Sequence, residues 1–299
     1  MAAIAAGGGQ ARVERRAADV ATGDGLRSLH TTGRHFEVVP SDRRRGGRAH
    51  RIPAESVAME PVWGLARGIA YPLRPLFRVK LEGREHVPRK GPVLLASNHV
   101  SFLDPLFMLW LGERTRRKVR FLAMAELWNL RFLRFFLVHT HQIPVPRGTT
   151  AAGSSLTHAI AALERGECLG IYPEGGISED LDPMPGKTGV ARLAAVTGAP
   201  VIPVGVWGGQ RLYPKGRKRR LRPRTAVSII AGPPLLVGPN EDICDATDRV
   251  MTAVAATVRH AREIYPQRPK RRDDGWWVRP PETAVLRPTP RDRVGDRWS

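Results

Sequence analysis

The chain has 299 residues, of which 42% are hydrophobic and 25% charged, with a formal net charge of +20 and an isoelectric point near 11.3. Two cysteines, Cys168 and Cys244, exclude a disulfide framework and favour a reducing compartment. No stretch of about 20 residues is uninterruptedly apolar, so a clean transmembrane helix is not predicted. The positive charge predicts attraction to nucleic acid, anionic lipid or phosphorylated substrates.

The chain begins with residues 1–57, which we interpret as a disordered basic extension because their glycine-rich and arginine-rich stretches have no sustained periodicity. Residues 61–77 and 127–138 each mix arginine with Trp, Leu and Phe. This composition is typical of a helix in the headgroup layer of a membrane, and equally of a core-facing helix with solvated arginines. We expect residues 61–77 to form an N-terminal amphipathic membrane-associating segment.

Short β-like runs then alternate with helical patterns. Four apolar runs are predicted as buried strands, although Pro203 in the third indicates an edge strand or a bulge. Three helices are predicted, and Ser154 or Ser155 is expected to cap the first of them. Alternating strands and helices predict an α/β fold, a single-domain mixed sheet flanked by helices. The predicted strands are 92–97, 168–172, 200–206 and 226–230, and the helices are 154–166, 187–198 and 241–263.

The segment "NHVSFLD", residues 98–104, places His99 and Asp104 five positions apart inside an apolar stretch. On a regular helix the two side chains would point about 140° apart and would not meet. If the strand ends near Ser97 and Pro105 occupies the first helical turn, His99 lies on a loop that folds back on Asp104. A carboxylate that fixes one ring nitrogen leaves the other as a base, without a protein nucleophile. The alternative is that Asp104 only caps the helix.

Three further blocks follow in order: "IPVPRG" with Arg147, "YPEGGIS" with Glu174, Gly175 and Gly176, and "APVIPVGV". The glycines let bare backbone approach a ligand. Together with the first block, this order and spacing over residues 75–235 resembles the lysophosphatidic acid acyltransferase family, the 1-acylglycerol-3-phosphate and glycerolipid acyltransferases.

The resemblance implies transfer of a fatty acyl group from acyl-CoA or an acyl carrier protein to the hydroxyl of a lysophospholipid. It assigns His99 as the general base and Asp104 as its orienting residue. It also implies that Asn98, Arg147, Glu174, Gly175 and Gly176 bind substrate. Direct attack on a thioester needs a base rather than a protein nucleophile, which agrees with these assignments. No cofactor is expected besides the acyl donor.

One position departs from the family pattern. The third block usually reads Glu-Gly-Thr-Arg-Ser, whereas Ile177 stands here in place of its arginine. This puts lysophosphatidate as the acceptor in doubt, and another lysolipid or hydroxylated acceptor remains an alternative. A basic residue from outside the block is expected to replace the arginine if the acceptor is a phosphate monoester; the candidates are Lys187, Arg192, Arg211 and Lys215.

Competing motifs are weaker. "MPGKTG" ends like a P-loop, but Leu181 stands where the first glycine belongs. His139 and His141 have no obvious carboxylate or cysteine companion, so no metal site is predicted. The run 213–224, "YPKGRKRRLRPR", suits nucleic acid, a solvated loop or anionic lipid headgroups. The resemblance favours an anionic membrane surface as the partner, and no nucleic acid is expected.

We therefore predict an acyltransferase domain over residues 58–263 and a Pro/Arg-rich disordered tail over residues 264–299, whose Trp276 and Trp277 could dock on a surface. The protein is expected to be peripheral or monotopic at the cytoplasmic face of the cell membrane.

Overall fold

The computed structural model describes residues 72–145, 152–220, 222–269 and 272–280, together with Gly64 and Gly68. Within these ranges seven strands and five α-helices alternate along the chain. The extension 1–57 and most of the amphipathic segment 61–77 lie outside the described residues. The strands are β1 (Phe77–Glu82), β2 (Val93–Ser97), β3 (Val119–Met124), β4 (Ile143–Val145), β5 (Cys168–Ile171), β6 (Val201–Trp207) and β7 (Thr225–Ala231). The helices are α1 (Asp104–Arg114), α2 (Arg131–His139), α3 (Ala152–Glu164), α4 (Gly189–Thr197) and α5 (Ile243–Glu263).

The strands form one mixed sheet in the order β1-β7-β6-β2-β5-β3-β4. All neighbouring pairs are parallel except β6 and β7, which are antiparallel. The predicted α/β class with a mixed sheet is therefore confirmed. The carboxyl ends of β2, β3, β4, β5 and β6 consequently share one edge of the sheet, whereas β1 and β7 end at the opposite edge.

Helices cover the central strands on both faces, and β2 shows how. Leu94 and Ala96 pack into a cluster with α3, α4 and α5, while Val93 and Leu95 pack into a second cluster with α1. All five residues of β2 are buried. A strand that is buried on both faces reads as a continuous apolar run, which is why the sequence identified the central strands without polar alternation.

Pro203 lies in β6, which is an interior strand of the sheet rather than the edge strand that was one of the two expectations. The pairing of β6 with β7 begins only at Val204, opposite Ala231. At Pro203 the backbone N–H of Gly232, just after β7, donates to the proline carbonyl at 2.8 Å. The missing N–H of proline is tolerated because regular pairing with β7 begins only at the next residue.

Among the boundaries that differ from the sequence expectations, two change which contacts the chain makes. Helix α3 begins at Ala152, so both serines lie inside it, and Ser155 Oγ donates to the carbonyl of Pro144 at 2.6 Å instead of capping the helix. Described residues beyond 263, among them Tyr265 and Trp276, also pack on the domain. Trp277 is only 2% exposed in a cluster with Trp207.

The tail was predicted to begin at residue 264, and the described structure corrects this point. The hydroxyl of Tyr265 donates to the carbonyl of Ala226 in β7 at 3.0 Å, and its ring packs edge-on against Trp277 at 5.6 Å. The guanidinium of Arg211 lies 4.1 Å from the centre of the Trp277 ring. Aromatic burial and cation–π contacts thus hold the first part of this segment, which its Pro and Arg content alone did not indicate.

Candidate active site

The candidate site lies at the carboxyl ends of β2 and β5. These strands are parallel neighbours, with Ala96 opposite Ile171. His99 follows β2 by two residues, and Glu174 follows β5 by three. Because both strands end at the same edge of the sheet, the first and third sequence blocks are brought side by side.

The predicted pairing of His99 with Asp104 is present. His99 Nδ1 lies 2.9 Å from Asp104 Oδ2, and β2 ends at Ser97 while Pro105 occupies the first turn of α1. The same Oδ2 accepts the backbone N–H groups of Val100 at 2.7 Å and Ser101 at 2.8 Å. The fully buried carboxylate therefore both fixes the loop before the helix and orients the imidazole. The helix-capping alternative is not observed, because Leu103 is the N-cap of α1 and no side chain caps it.

The remaining ring nitrogen of His99 faces the site. When the carboxylate of Asp104 accepts a hydrogen bond from Nδ1–H, Nε2 is left with a lone pair, and nothing within the described ranges hydrogen-bonds Nε2. The imidazole also stacks on Tyr172, with ring centres 4.1 Å apart and an interplanar angle of 19°. Burial, assisted by the negative charge of Asp104, raises the pKa of Tyr172 well above its usual value, so this wall of the site stays uncharged.

Asn98 has a structural role that sequence reasoning did not predict. Its side-chain N–H donates to the carbonyl of Val206 at 3.0 Å, and its oxygen accepts the N–H of Val206 at 2.8 Å. The residue is 1% exposed. Its amide therefore joins the histidine loop to β6, and the expected contact of Asn98 with substrate stays a prediction.

Glu174 holds the backbone of the histidine loop. Its Oε1 accepts the N–H of His99 at 3.0 Å, and Oε2 accepts the N–H of Met184 at 3.3 Å. The carbonyl of His99 in turn accepts the N–H of Ser178 at 2.8 Å. Since Glu174 is 6% exposed and both of its oxygens accept backbone N–H groups, it positions the backbone of His99. Its expected contact with the acceptor stays a prediction.

The same burial raises the pKa of Glu174 to about 8. Loss of solvation is the largest cause; the two backbone N–H donors oppose it, and the charge of Asp104 adds to it. The carboxyl is therefore mainly protonated at neutral pH and adds little negative charge to the site.

The two glycines of the third block line the opening. Gly175 has φ +70° and donates its N–H to the carbonyl of Tyr172 at 3.0 Å. Gly176 borders open space, since a Cβ added there would meet no atom within 4 Å. Contact of these glycines with substrate stays a prediction. Arg147 lies outside the described residues, so its role also stays a prediction.

No protein nucleophile accompanies His99 in the described part of the site. The two hydroxyls nearest to His99 in sequence both donate to backbone carbonyls: Ser97 Oγ to that of Asn98 at 3.1 Å and Ser101 Oγ to that of Tyr213 at 3.0 Å. Cys168 and Cys244 are buried, and burial raises the pKa of Cys168 to about 12. The described part of the site thus contains a histidine paired with a buried carboxylate and no neighbouring protein nucleophile.

The described ranges also contain no cluster of three or more His, Cys, Asp or Glu side chains suited to a metal ion. His139 Nδ1 instead hydrogen-bonds the carbonyl of Phe135, one turn earlier in α2, at 2.7 Å. Likewise, none of the helices described here has the length and apolarity to cross a bilayer.

Comparison with known proteins places this geometry in context. A family model described as "Acyltransferase" matches residues 78–207. The 1-acyl-sn-glycerol-3-phosphate acyltransferase of Bacillus subtilis is 30% identical over 145 residues, which is 47% of this chain and 70% of that protein. The chloroplastic 1-acyl-sn-glycerol-3-phosphate acyltransferase BAT2 of Brassica napus is 25% identical over 173 residues, covering 57% of this chain and 49% of that protein. The chain thus spans about half the length of the Brassica relative.

Among solved structures, the 1-acyl-sn-glycerophosphate acyltransferase PlsC from Thermotoga maritima matches with a TM-score of 0.54 and 24% identity. The match covers 71% of this chain and 81% of the Thermotoga chain. At this level of identity the likeness shows a shared fold.

Proposed function

The chain belongs to the acyltransferase family that includes the 1-acyl-sn-glycerol-3-phosphate acyltransferases, and on this basis we propose that it acylates a lysophospholipid. The donor is an acyl thioester, either acyl-CoA or an acyl carrier protein. The acceptor is 1-acylglycerol-3-phosphate, and the product is phosphatidic acid. The Bacillus relative carries the name of this acceptor, which supports the choice.

The observation that carries the proposal is the 2.9 Å contact between His99 Nδ1 and the buried carboxylate of Asp104. In the proposed reaction Nε2 of His99 takes the proton of the acceptor hydroxyl as its oxygen attacks the thioester carbonyl. The tetrahedral intermediate then expels the thiolate, which takes up the proton from the imidazolium. Asp104 keeps Nε2 available and stabilises the positive charge of the ring between these steps.

The acceptor must be held so that its hydroxyl meets Nε2. We assign Arg147 to the phosphate of the acceptor, since a guanidinium offers paired donors to phosphate oxygens. Ile177, which stands where the family has a second arginine, is 9% exposed and offers no charge. An acceptor with less charge therefore remains the alternative to lysophosphatidate.

Membrane binding is proposed for the face of α2. Leu130, Phe135 and Val138 are 57%, 45% and 47% exposed, and the exposed Arg131 and Arg134 lie between them in sequence. Large exposed apolar side chains beside arginines suit the headgroup layer of an anionic membrane. We therefore propose a peripheral or monotopic protein at the cytoplasmic face of the cell membrane, where its lipid substrate is located.

A panel of lysolipids with and without phosphate headgroups, incubated with labelled acyl-CoA or labelled acyl carrier protein, tests the proposal. Labelled phosphatidic acid from lysophosphatidate is the expected product. Transfer only to acceptors without a phosphate monoester would support the alternative acceptor, and no transfer to any lysolipid would refute the proposed activity. Sedimentation with anionic vesicles, compared at equal salt with retention on nucleic acid, tests the proposed membrane surface.

A further inference from the structure

The side chain of Lys187 lies directly on the backbone of Gly175. A Cβ built on Gly175 would come within 2.5 Å of both Cε and Nζ of Lys187. With φ at +70°, this backbone conformation also favours glycine. The backbone N–H of Lys187 donates to the carbonyl of Pro173 at 2.8 Å, which holds the lysine against the same turn. The ammonium group therefore belongs to the third sequence block in space, although it is twelve positions away from Gly175 in the chain.

The turn that Lys187 contacts is close to His99, the proposed base. Gly175 directly follows Glu174, whose carboxyl accepts the N–H of His99 at 3.0 Å. Both Gly175 and Lys187 are exposed, so an anion in the opening of the site can reach the ammonium group. Gly176 adds a backbone N–H at the same place, for which no acceptor is found among the residues the structure describes.

Two of the other basic candidates are engaged elsewhere. Arg211 stacks on Trp277 at 4.1 Å, and Lys215 pairs with Glu179 at 2.9 Å. Arg192 donates from Nε to Thr188 Oγ1 at 3.2 Å within α4. Lys187 is the candidate whose side chain the structure shows against the third block, at Gly175. The neutral form of the neighbouring Glu174, favoured near pH 7, would not repel an approaching anion.

We infer that Lys187 binds the phosphate monoester of the acceptor, in the role that Ile177 leaves unfilled. The inference rests on the proposed function and specifies how its site recognises the acceptor. In 1-acylglycerol-3-phosphate the reacting hydroxyl and the phosphate are carried by adjacent carbons, so the cation must lie close to the base. A phosphate monoester carries between about 1.5 and 2 negative charges near pH 7, and Lys187 would share their neutralisation with Arg147.

Acyl-CoA also carries phosphate groups, so the experiment must separate the two substrates. We expect Lys187→Ala to raise KM for lysophosphatidate about tenfold to a hundredfold, the loss typical of a charge-assisted hydrogen bond. KM for acyl-CoA and kcat at saturating acceptor should change less than about twofold. Lys187→Arg should restore most of the acceptor affinity because it keeps the charge. Lys90→Ala is the matched control: it removes an exposed cation in the turn before β2, at the opposite edge of the sheet, and should change neither constant.

A rise in KM for acyl-CoA alone would assign the lysine to the donor and overturn the inference. A fall in kcat with both KM values unchanged, or an equal effect of Lys90→Ala, would overturn it as well. Titration of sn-glycerol 3-phosphate into the full chain, followed by NMR, gives a readout that does not depend on turnover. Binding to wild type that Lys187→Ala weakens at least tenfold supports the inference even if no lysolipid is acylated. Equal binding to both proteins, or no binding to wild type, refutes it.

Discussion

The substitution Glu174→Gln should destabilise the protein at acidic pH and stabilise it at alkaline pH. In the native protein this carboxyl is buried, and its pKa rises from 4.5 to about 8 mainly because burial removes its solvation. In the unfolded chain the group is exposed and ionises near its ordinary value. The folded state therefore retains a proton that the unfolded state has already released between these two pH values.

The sign and size follow from this difference in proton binding. As pH rises from about 4.5 to about 8, the unfolded state binds fewer protons, so the free energy of unfolding falls. At about 1.4 kcal/mol per pH unit, the loss approaches 5 kcal/mol and is complete above about pH 8. Stability linked to this group is fully present below about pH 4.5.

Glutamine cannot ionise, so the variant lacks this contribution to the pH dependence. Its amide has one acceptor oxygen, however, so one of the two N–H groups held by Glu174, from His99 or Met184, loses its acceptor. An unsatisfied buried donor costs about 1–3 kcal/mol. The variant should therefore be less stable than wild type by about that amount near pH 4.5, and more stable by about 2–4 kcal/mol above about pH 8.

Urea unfolding of both proteins from about pH 5 to about pH 9 provides the measurement. Taking the difference between variant and wild type at each pH removes the contributions of all other titrating groups, such as the Glu82–His260 pair. The predicted result is a difference that changes sign with pH. A difference that stays constant within about 0.5 kcal/mol would show that Glu174 is ionised in the folded protein and would refute the reasoning.

Three further predictions concern other parts of the chain. Asp104→Asn should keep the fold and lower kcat roughly a hundredfold, because the amide oxygen can take the place of Oδ2 but no longer stabilises the imidazolium; an unfolded variant or an unchanged kcat would contradict this. Trp277→Ala should lower the free energy of unfolding by about 3–5 kcal/mol, whereas Val278→Ala, at a 39% exposed neighbour, should cost less than about 0.5 kcal/mol; equal effects in urea would show that the segment is not part of the folded unit. Removing residues 1–57 should leave acyl transfer unchanged, and loss of activity in that truncated chain would refute their interpretation as a dispensable extension.

The sequence predicted the strands that are buried on both faces, because a short continuous apolar run is typical of such a strand. It did not predict β1, β3 and β4: charged positions interrupt the apolar pattern of β1 and β3, and β4 has only three residues. In β1 the exposed Arg78 and Lys80 alternate with the less exposed Phe77, Val79 and Leu81, so a period-two pattern was available as a signal. An edge strand such as β1 resembles a loop in composition, and only the alternation of exposed and less exposed residues identifies it.

Within the site, the contact between His99 and Asp104 could be predicted because Pro105 fixes where the helix begins. The contacts of Glu174 with the backbone of His99, and of Lys187 with Gly175, could not. Each joins segments that are distant in the chain, and depends on β5 lying beside β2 and on the path of the loop before α4. A sequence gives the residue types for such contacts, but the distances between them are set by the order of the strands.

The central claim is that His99 is the base for acyl transfer to the hydroxyl of a lysophospholipid. The most direct test measures labelled phosphatidic acid formed from lysophosphatidate and labelled acyl donor by wild type, His99→Ala and His158→Ala. His158 is an exposed histidine on α3 and serves as the matched control. The account predicts that His99→Ala lowers kcat by about 10²- to 10⁴-fold with its unfolding transition retained, while His158→Ala matches wild type. Turnover by His99→Ala within about threefold of wild type, well short of the smallest effect expected for loss of a general base, would contradict it.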